Sequence, residues 1–369
     1  MDTTLLQKKE NDRILGMDLL KILSMIMIIA LHIIGNFRVT GKFDNFTYKV
    51  CAILYYPLRC AVSCYALTSG FLLINKKYKI SRLLYIWIQV FVYSFFIAVA
   101  FKIFMRDSIS VKEMLFFAFP VTSFKYWYIS AYFGLFLLMP LLNLGIRNLS
   151  QKQLKITIIA ILSVVALSSV LNNILFDTDP FVLKHGMSCL WLIIMYIVGA
   201  YVKLYGVEMK FSFKILLLVF FLANAVSLAI YFICAPNGLN YKYLAYYDFP
   251  TVIISSISLF LIFAKIKKPV KNKFAEKTIT TLSTATLGAY LIHVHPLVYD
   301  KLLTKLNVII HYSNFVFALY LVAAVLGVYI VCSLIDILRY YIFKWIKIDK
   351  LCKSADKLVE EKDSDTSRQ

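Results

Sequence analysis

The sequence predicts an all-α polytopic integral membrane protein with about ten transmembrane helices and both termini in the cytoplasm. Three observations carry this. First, 61% of the 369 residues are apolar and only 16% are charged, against about 45–50% and about 25% in a soluble domain. At roughly 20 residues per span, about 225 apolar residues fill about ten spans. That leaves nothing for a second folded domain and excludes a soluble enzyme or a disordered chain. Second, ten apolar runs bounded by charges follow one another: 14–37, 51–74, 83–105, 127–145, 155–175, 187–205, 213–235, 248–264, 279–299 and 314–343. Third, with the N-terminus inside, 27 Lys and Arg fall in cytoplasmic segments and 10 in outer ones. This positive-inside bias accounts for the net charge of +20. The charge therefore points to membrane lipids as partners and not to nucleic acid.

Residues 1–350 read as one transmembrane domain. The tail, 351–369, ends EEKDSDTSRQ and is expected to be a disordered cytoplasmic segment. Met1 to Arg13 is polar and the apolar run after it is long, so no cleavable signal is expected. The seven cysteines (Cys51, Cys60, Cys64, Cys189, Cys234, Cys332 and Cys352) are scattered through apolar runs without CxxC or Cys/His ligand spacing. They read as small hydrophobes, and no metal site is expected.

An ionisable group inside a span is costly and is a functional hypothesis by default. The first span holds Asp18, Lys21 and His32. Eleven residues at 100° each return His32 to within about 20° of Lys21, and fourteen return it to within about 40° of Asp18. All three share one face, which must look into the protein. Lys21 lies about 16 Å below His32 along the axis. It sits near the inner leaflet, where Asp18 can pair with it at i−3. A snorkelling lysine and a structural histidine are the bland alternative.

In the second span, running outside to inside, Arg59 lies near the depth of His32 and needs an acidic or carbonyl partner. Ser69 and Gly70 fall at the inner end, for close helix approach or ligand access. The fourth span opens with Lys125, Tyr126, Trp127 and Tyr128, either an aromatic belt or a binding surface. The outer loop NYKYLAYYDFP, 240–250, offers tyrosine faces that suit sugar rings or again a belt. The ninth span contains His293 and His295. At i and i+2 they point about 200° apart, so only one can face a site.

These residues are similar to a known family. The stretch from Arg13 through Asp18 and Lys21 to His32 resembles the first helix of the membrane-bound acyltransferase-3 family, integral-membrane O-acyltransferases of bacterial surface polysaccharides. That helix carries a basic residue, usually Arg, ten residues, then His. Arg59-Cys60-Ala61-Val62 followed by Ser69-Gly70-Phe71-Leu72-Leu73 resembles the family's second helix. Trp127-Tyr128 with Leu138-Met139-Pro140-Leu141-Leu142 resembles its fourth. Tyr290-Leu291-Ile292-His293 with Pro296 resembles its late Y-L-I-H-P motif. The chain departs from the pattern in having Lys21 for Arg, Ser63 where Pro is common, and a single Arg82 where many members have two. It also lacks the extracytoplasmic hydrolase-like domain fused to some members.

The resemblance implies transfer of an acyl group, most often acetyl, from cytoplasmic acyl-coenzyme A to a hydroxyl of an extracytoplasmic or lipid-linked surface polysaccharide. It implies a multi-pass protein of the bacterial cytoplasmic membrane. Acyl-coenzyme A is then a substrate, and no cofactor is bound permanently. His32, Arg59, Asp18 and Lys21 become the expected catalytic group, with His32 as general base or transient acyl carrier. Arg13, Lys21, Ser69 and Arg82 become the expected donor contacts. Trp127, Tyr128, His293 and His295 become the expected acceptor contacts. The rival is a transporter or flippase for a polar or glycan substrate, but the chain shows neither internal repeats nor Gly/Pro-broken helices at matched positions.

Overall fold

The computed structural model describes residues 13–36, 46–106, 108–176, 178–267, 271–306 and 314–366. Among them there is helix and no strand. The helices are α1 (Leu15–Asn36), α2 (Phe46–Arg59), α3 (Ala61–Leu73), α4 (Ile80–Phe104), α5 (Val111–Ala118), α6 (Trp127–Asn148) and α7 (Gln151–Leu171). They continue with α8 (Cys189–Tyr205), α9 (Phe213–Cys234), α10 (Pro250–Ala264), α11 (Lys273–His293), α12 (Pro296–Lys301), α13 (Asn314–Trp345) and α14 (Ile348–Thr366).

Local chemistry sets many of the boundaries. Ser110 and Ser150 open α5 and α7 with capping boxes to Glu113 and Gln153. Ser188, Ser212 and Asn272 cap α8, α9 and α11. Gly206 closes α8 with φ +59°, a conformation only glycine adopts freely.

Among the described residues eight spans are long and apolar enough to cross a membrane, and the chain is a multi-pass membrane protein. The sixth and ninth expected spans correspond to α8, only 17 residues long, and α11, which carries a Ser/Thr-rich stretch. α1 is the hub and packs on α2, α3, α10, α11 and α13. The span ending in α10 is 72% buried, whereas those of α7 and α9 are 22% buried. The latter two therefore present apolar side chains such as Ile159, Leu218 and Phe221 outward, the surface that lipid requires.

The second expected span, 51–74, corresponds to one candidate span, Lys49–Leu73, with an interruption at Cys60 between α2 and α3, three residues after Pro57, which cannot donate to the preceding turn. Two expectations need correction. The ninth span begins at Lys273 and ends at His293, six residues before its expected end. The reason is again proline: Pro296 starts the separate helix α12, and the His295 side chain accepts the Leu297 N–H to cap it.

The second correction concerns the tail. Residues 348–366 are helical, and α14 packs on α4. The Asp356 carboxylate accepts the Ser81 N–H at 2.9 Å and the Ser81 hydroxyl at 2.6 Å. It thereby caps the first turn of α4, where Lys79 offers no side-chain cap. Slight burial works to raise the Asp356 pKa. The Ser81 bonds, with Lys79 and Arg82 nearby, outweigh it and hold the carboxyl below its ordinary value. A polar composition argues against a core, but not against a helix whose end-group chemistry is supplied by a neighbour.

α3 and α8 approach back to back through glycine. A Cβ on Gly70 would stand 1.9 Å from the Tyr196 carbonyl oxygen, and one on Gly199 would stand 2.0 Å from that of Leu67. Both obstacles are backbone, so neither can step aside. Gly199→Ala is expected to cost about 1–3 kcal/mol and to lower the melting temperature in detergent. Gly145→Ala, which meets nothing within 4 Å, is the control. Equal melting of the two variants would show that the helices do not touch this closely.

Candidate active site

A cavity of about 610 Å³ lies between α1, α3, α6 and α11. Lys21, Ser69, Ser283 and Thr284 line it at the level of the first turns of α1. His32, Tyr126, Trp127, Tyr128 and Tyr290 line it farther along. One continuous space therefore joins the two levels that helix counting separates by about 16 Å.

At the first level Asp18 is the centre of a polar cluster. Its carboxylate accepts from Arg13 Nε at 2.7 Å and from the Ser283 hydroxyl at 2.6 Å, and Lys21 Nζ lies 3.5 Å away. The Asp18–Lys21 pair expected from the i, i+3 spacing is present. Arg13 also donates to the Thr280 carbonyl and the Thr284 hydroxyl. Two cations and one anion leave this cluster with a net charge of +1 beside the cavity. The geometry divides the expected roles. Lys21 faces the cavity, Arg13 holds Asp18, and Asp18 lies about 21 Å along α1 from His32, out of reach of a reaction there.

At the second level His32 lines the cavity, and its Nδ1 lies 3.0 Å from His293 Nε2. His293 Nδ1 lies 2.6 Å from the Ala289 carbonyl oxygen. His293 is wholly enclosed and reaches His32, not the cavity. His295 is also enclosed. Its Nε2 donates to the Ser94 carbonyl at 3.1 Å, its Nδ1 accepts from Leu297, and its ring stacks on Phe117. Of the two histidines, His293 touches the cavity-lining His32, whereas His295, expected as an acceptor contact, caps α12 away from the cavity.

Arg59 donates through Nε to the Ala245 carbonyl, the kind of partner its depth demands. Its guanidinium carbon sits 4.2 Å from the Tyr247 ring centroid, on the cation–π face. Tyr247 lines the cavity and stacks on Trp127 at 6.0 Å and 25°. Arg59 thus stands behind an aromatic wall. Tyr128 stacks on Tyr132 at 6.3 Å and 15°. Ser69 lines the cavity with its hydroxyl donating to the Tyr65 carbonyl. Arg82 is half-buried beside the Ser81–Asp356 contact and does not line the cavity.

The acyltransferase-3 family model, an acyltransferase domain, matches residues 14–336. The chain belongs to that family. The match takes in α1 through most of α13, so the cavity and both of its polar levels lie inside the acyltransferase domain. Comparison with curated proteins and with solved structures gave no match. The protein is a multi-pass membrane acyltransferase.

Residue spacing missed several residues of the cavity wall. Tyr65 and Tyr132 complete the aromatic wall together with Tyr247 of the tyrosine-rich loop 240–250, and Ser283, Thr284 and Thr286 line it from α11. The run TITTLSTATLGAY is polar for a span, and that polarity was the available signal.

Proposed function

We propose that this acyltransferase moves an acyl group, most often acetyl, from cytoplasmic acyl-coenzyme A to a hydroxyl of an extracytoplasmic or lipid-linked surface polysaccharide, in the cytoplasmic membrane of a bacterium. The observation that carries the reading is the single cavity joining a cationic level at Lys21 to an imidazole at His32 under an aromatic wall. The positive charge suits the phosphates of the donor. Tyrosine and tryptophan faces suit sugar rings, and their hydroxyls and indole suit sugar oxygens.

The chemistry follows from general acid–base catalysis. His32 takes the proton of the sugar hydroxyl as the oxygen forms a bond to the thioester carbonyl carbon. The tetrahedral adduct then breaks its C–S bond. The departing sulfur takes the proton back from His32, leaving ester and free coenzyme A. Protons and electrons balance without a cofactor or a covalent enzyme intermediate.

The test is transfer of label from acetyl-coenzyme A to a glycan acceptor by purified protein in detergent. A transporter or flippase gives none. Trp127→Ala divides the two halves of the site. Losing one stacking face is expected to raise KM for the acceptor about 3- to 10-fold, the equivalent of about 0.5–1.5 kcal/mol. Donor hydrolysis should stay near wild type. An equal loss of donor binding would place the donor, not the acceptor, against the wall.

A further inference from the structure

The hydrogen bonds behind His32 decide which of its nitrogens can act. The Ala289 carbonyl has no proton to give, so the 2.6 Å contact requires that His293 Nδ1 carry the hydrogen. A neutral imidazole has only one N–H, which leaves a lone pair on His293 Nε2. That lone pair faces His32 Nδ1 at 3.0 Å. Two lone pairs would repel there, so His32 Nδ1 must carry its hydrogen and donate. His32 Nε2 is then left with its lone pair and has no hydrogen-bond partner among the described residues.

The alternative is a charged His293 donating from both nitrogens. His293 is 0% exposed, and no carboxylate is hydrogen-bonded to it among the described residues. Its hydrogen-bond and ring contacts among the described residues are the Ala289 carbonyl, His32 and the Tyr290 ring, the last with centroids 6.0 Å apart at 84°. A cation buried there without an anion is heavily penalised, so the neutral chain from Ala289 through His293 to His32 is the favoured one.

We infer that His293 is a positioning residue, holding His32 in the tautomer whose Nε2 lone pair meets the acceptor hydroxyl. This rests on the reading of His32 as the base, and it replaces the expectation that His293 touches the acceptor. When His32 takes a proton on Nε2, its Nδ1–H becomes the donor of a charge-assisted bond to His293 Nε2, which strengthens as charge develops. A hydrolase triad gives this task to a buried carboxylate. Here a second histidine performs it, anchored by a main-chain carbonyl one turn back on α11. The dyad spans two helices, α1 and α11, which pack directly on each other. The orientation of the base is therefore tied to the packing of the hub.

Two measurements test this. In the first, His293→Leu is compared with His293→Gln in purified protein. Leu fills the space but accepts nothing. Gln can accept from His32 Nδ1–H through its oxygen and donate to Ala289 through its NH2. Leu is expected to lower kcat about 100-fold, with KM for acyl-coenzyme A changed less than about 2-fold, and Gln to recover at least about 10-fold of that loss. The second measurement is 15N NMR of histidine-labelled wild-type protein, with the His32 signals assigned by their loss in His32→Gln. His32 is expected to be protonated on Nδ1 and unprotonated on Nε2. Leu at 293 with kcat within 3-fold of wild type, or His32 protonated on Nε2 in the wild type, overturns the proposal. If His32→Ala itself keeps full transfer, the base assignment fails instead, while the NMR result still reports the tautomer.

Discussion

Replacing His32 with alanine is expected to lower the rate of transfer by about 10²- to 10⁴-fold, the contribution of a positioned general base. The imidazole lines the cavity at its second level, so removing it deletes the proposed proton acceptor without opening a void in the packed core. The structural penalty is confined to His293 Nε2, which loses its donor, and to about 1–3 kcal/mol for an acceptor left unsatisfied. Insertion and purification should therefore survive. The measurement pairs ester formation on the glycan with the melting temperature of the same preparation. A folded variant with near-wild-type transfer would remove His32 from the chemistry.

Lys21→Ala should act on the donor. Its Nζ is the cation of the Asp18 cluster that lines the cavity. Without it, Arg13 alone balances Asp18, and the net charge of the cluster falls from +1 to zero. A hydrogen bond to a charged group is worth about 1.5–3 kcal/mol. KM for acyl-coenzyme A is therefore expected to rise about 10- to 100-fold, with a weaker dependence on salt. Asp18 keeps Arg13 and Ser283 as partners, so the fold should hold. Lys21→Arg keeps the charge and should be tolerated. Unchanged donor affinity in the alanine variant would separate the cluster from donor binding.

Structure and sequence part company on the roles within these clusters. Helix periodicity places Asp18, Lys21 and His32 on one face, and the structure has Lys21 and His32 lining one cavity. Periodicity cannot say that Arg13 would turn to Asp18, that Arg59 would lie behind Tyr247, or that Arg82 would sit beside the docked tail. Arg59 and Arg82 are placed by partners far away in the chain, and Arg13, although only five residues from Asp18, is also held by Thr280 and Thr284 of α11.

What the sequence alone determined is the class of protein and the helices that hold the site. Apolar runs of span length have no other stable setting, because every buried backbone group must find its bond within the helix. Charge asymmetry and the motifs of four spans were legible for the same reason, being properties of residues near one another in the chain. The tertiary structure alone decided which of two histidines, separated by a single residue, touches the cavity-lining His32. His293 meets His32 across 261 positions of sequence, and His295 meets Ser94 across 201. It also decided that the polar tail is a helix, since Ser81 supplies the contacts that hold Asp356. Local pattern sets where a side chain starts. Its partner, and with it its proton and its role, is set by the helix that packs against it.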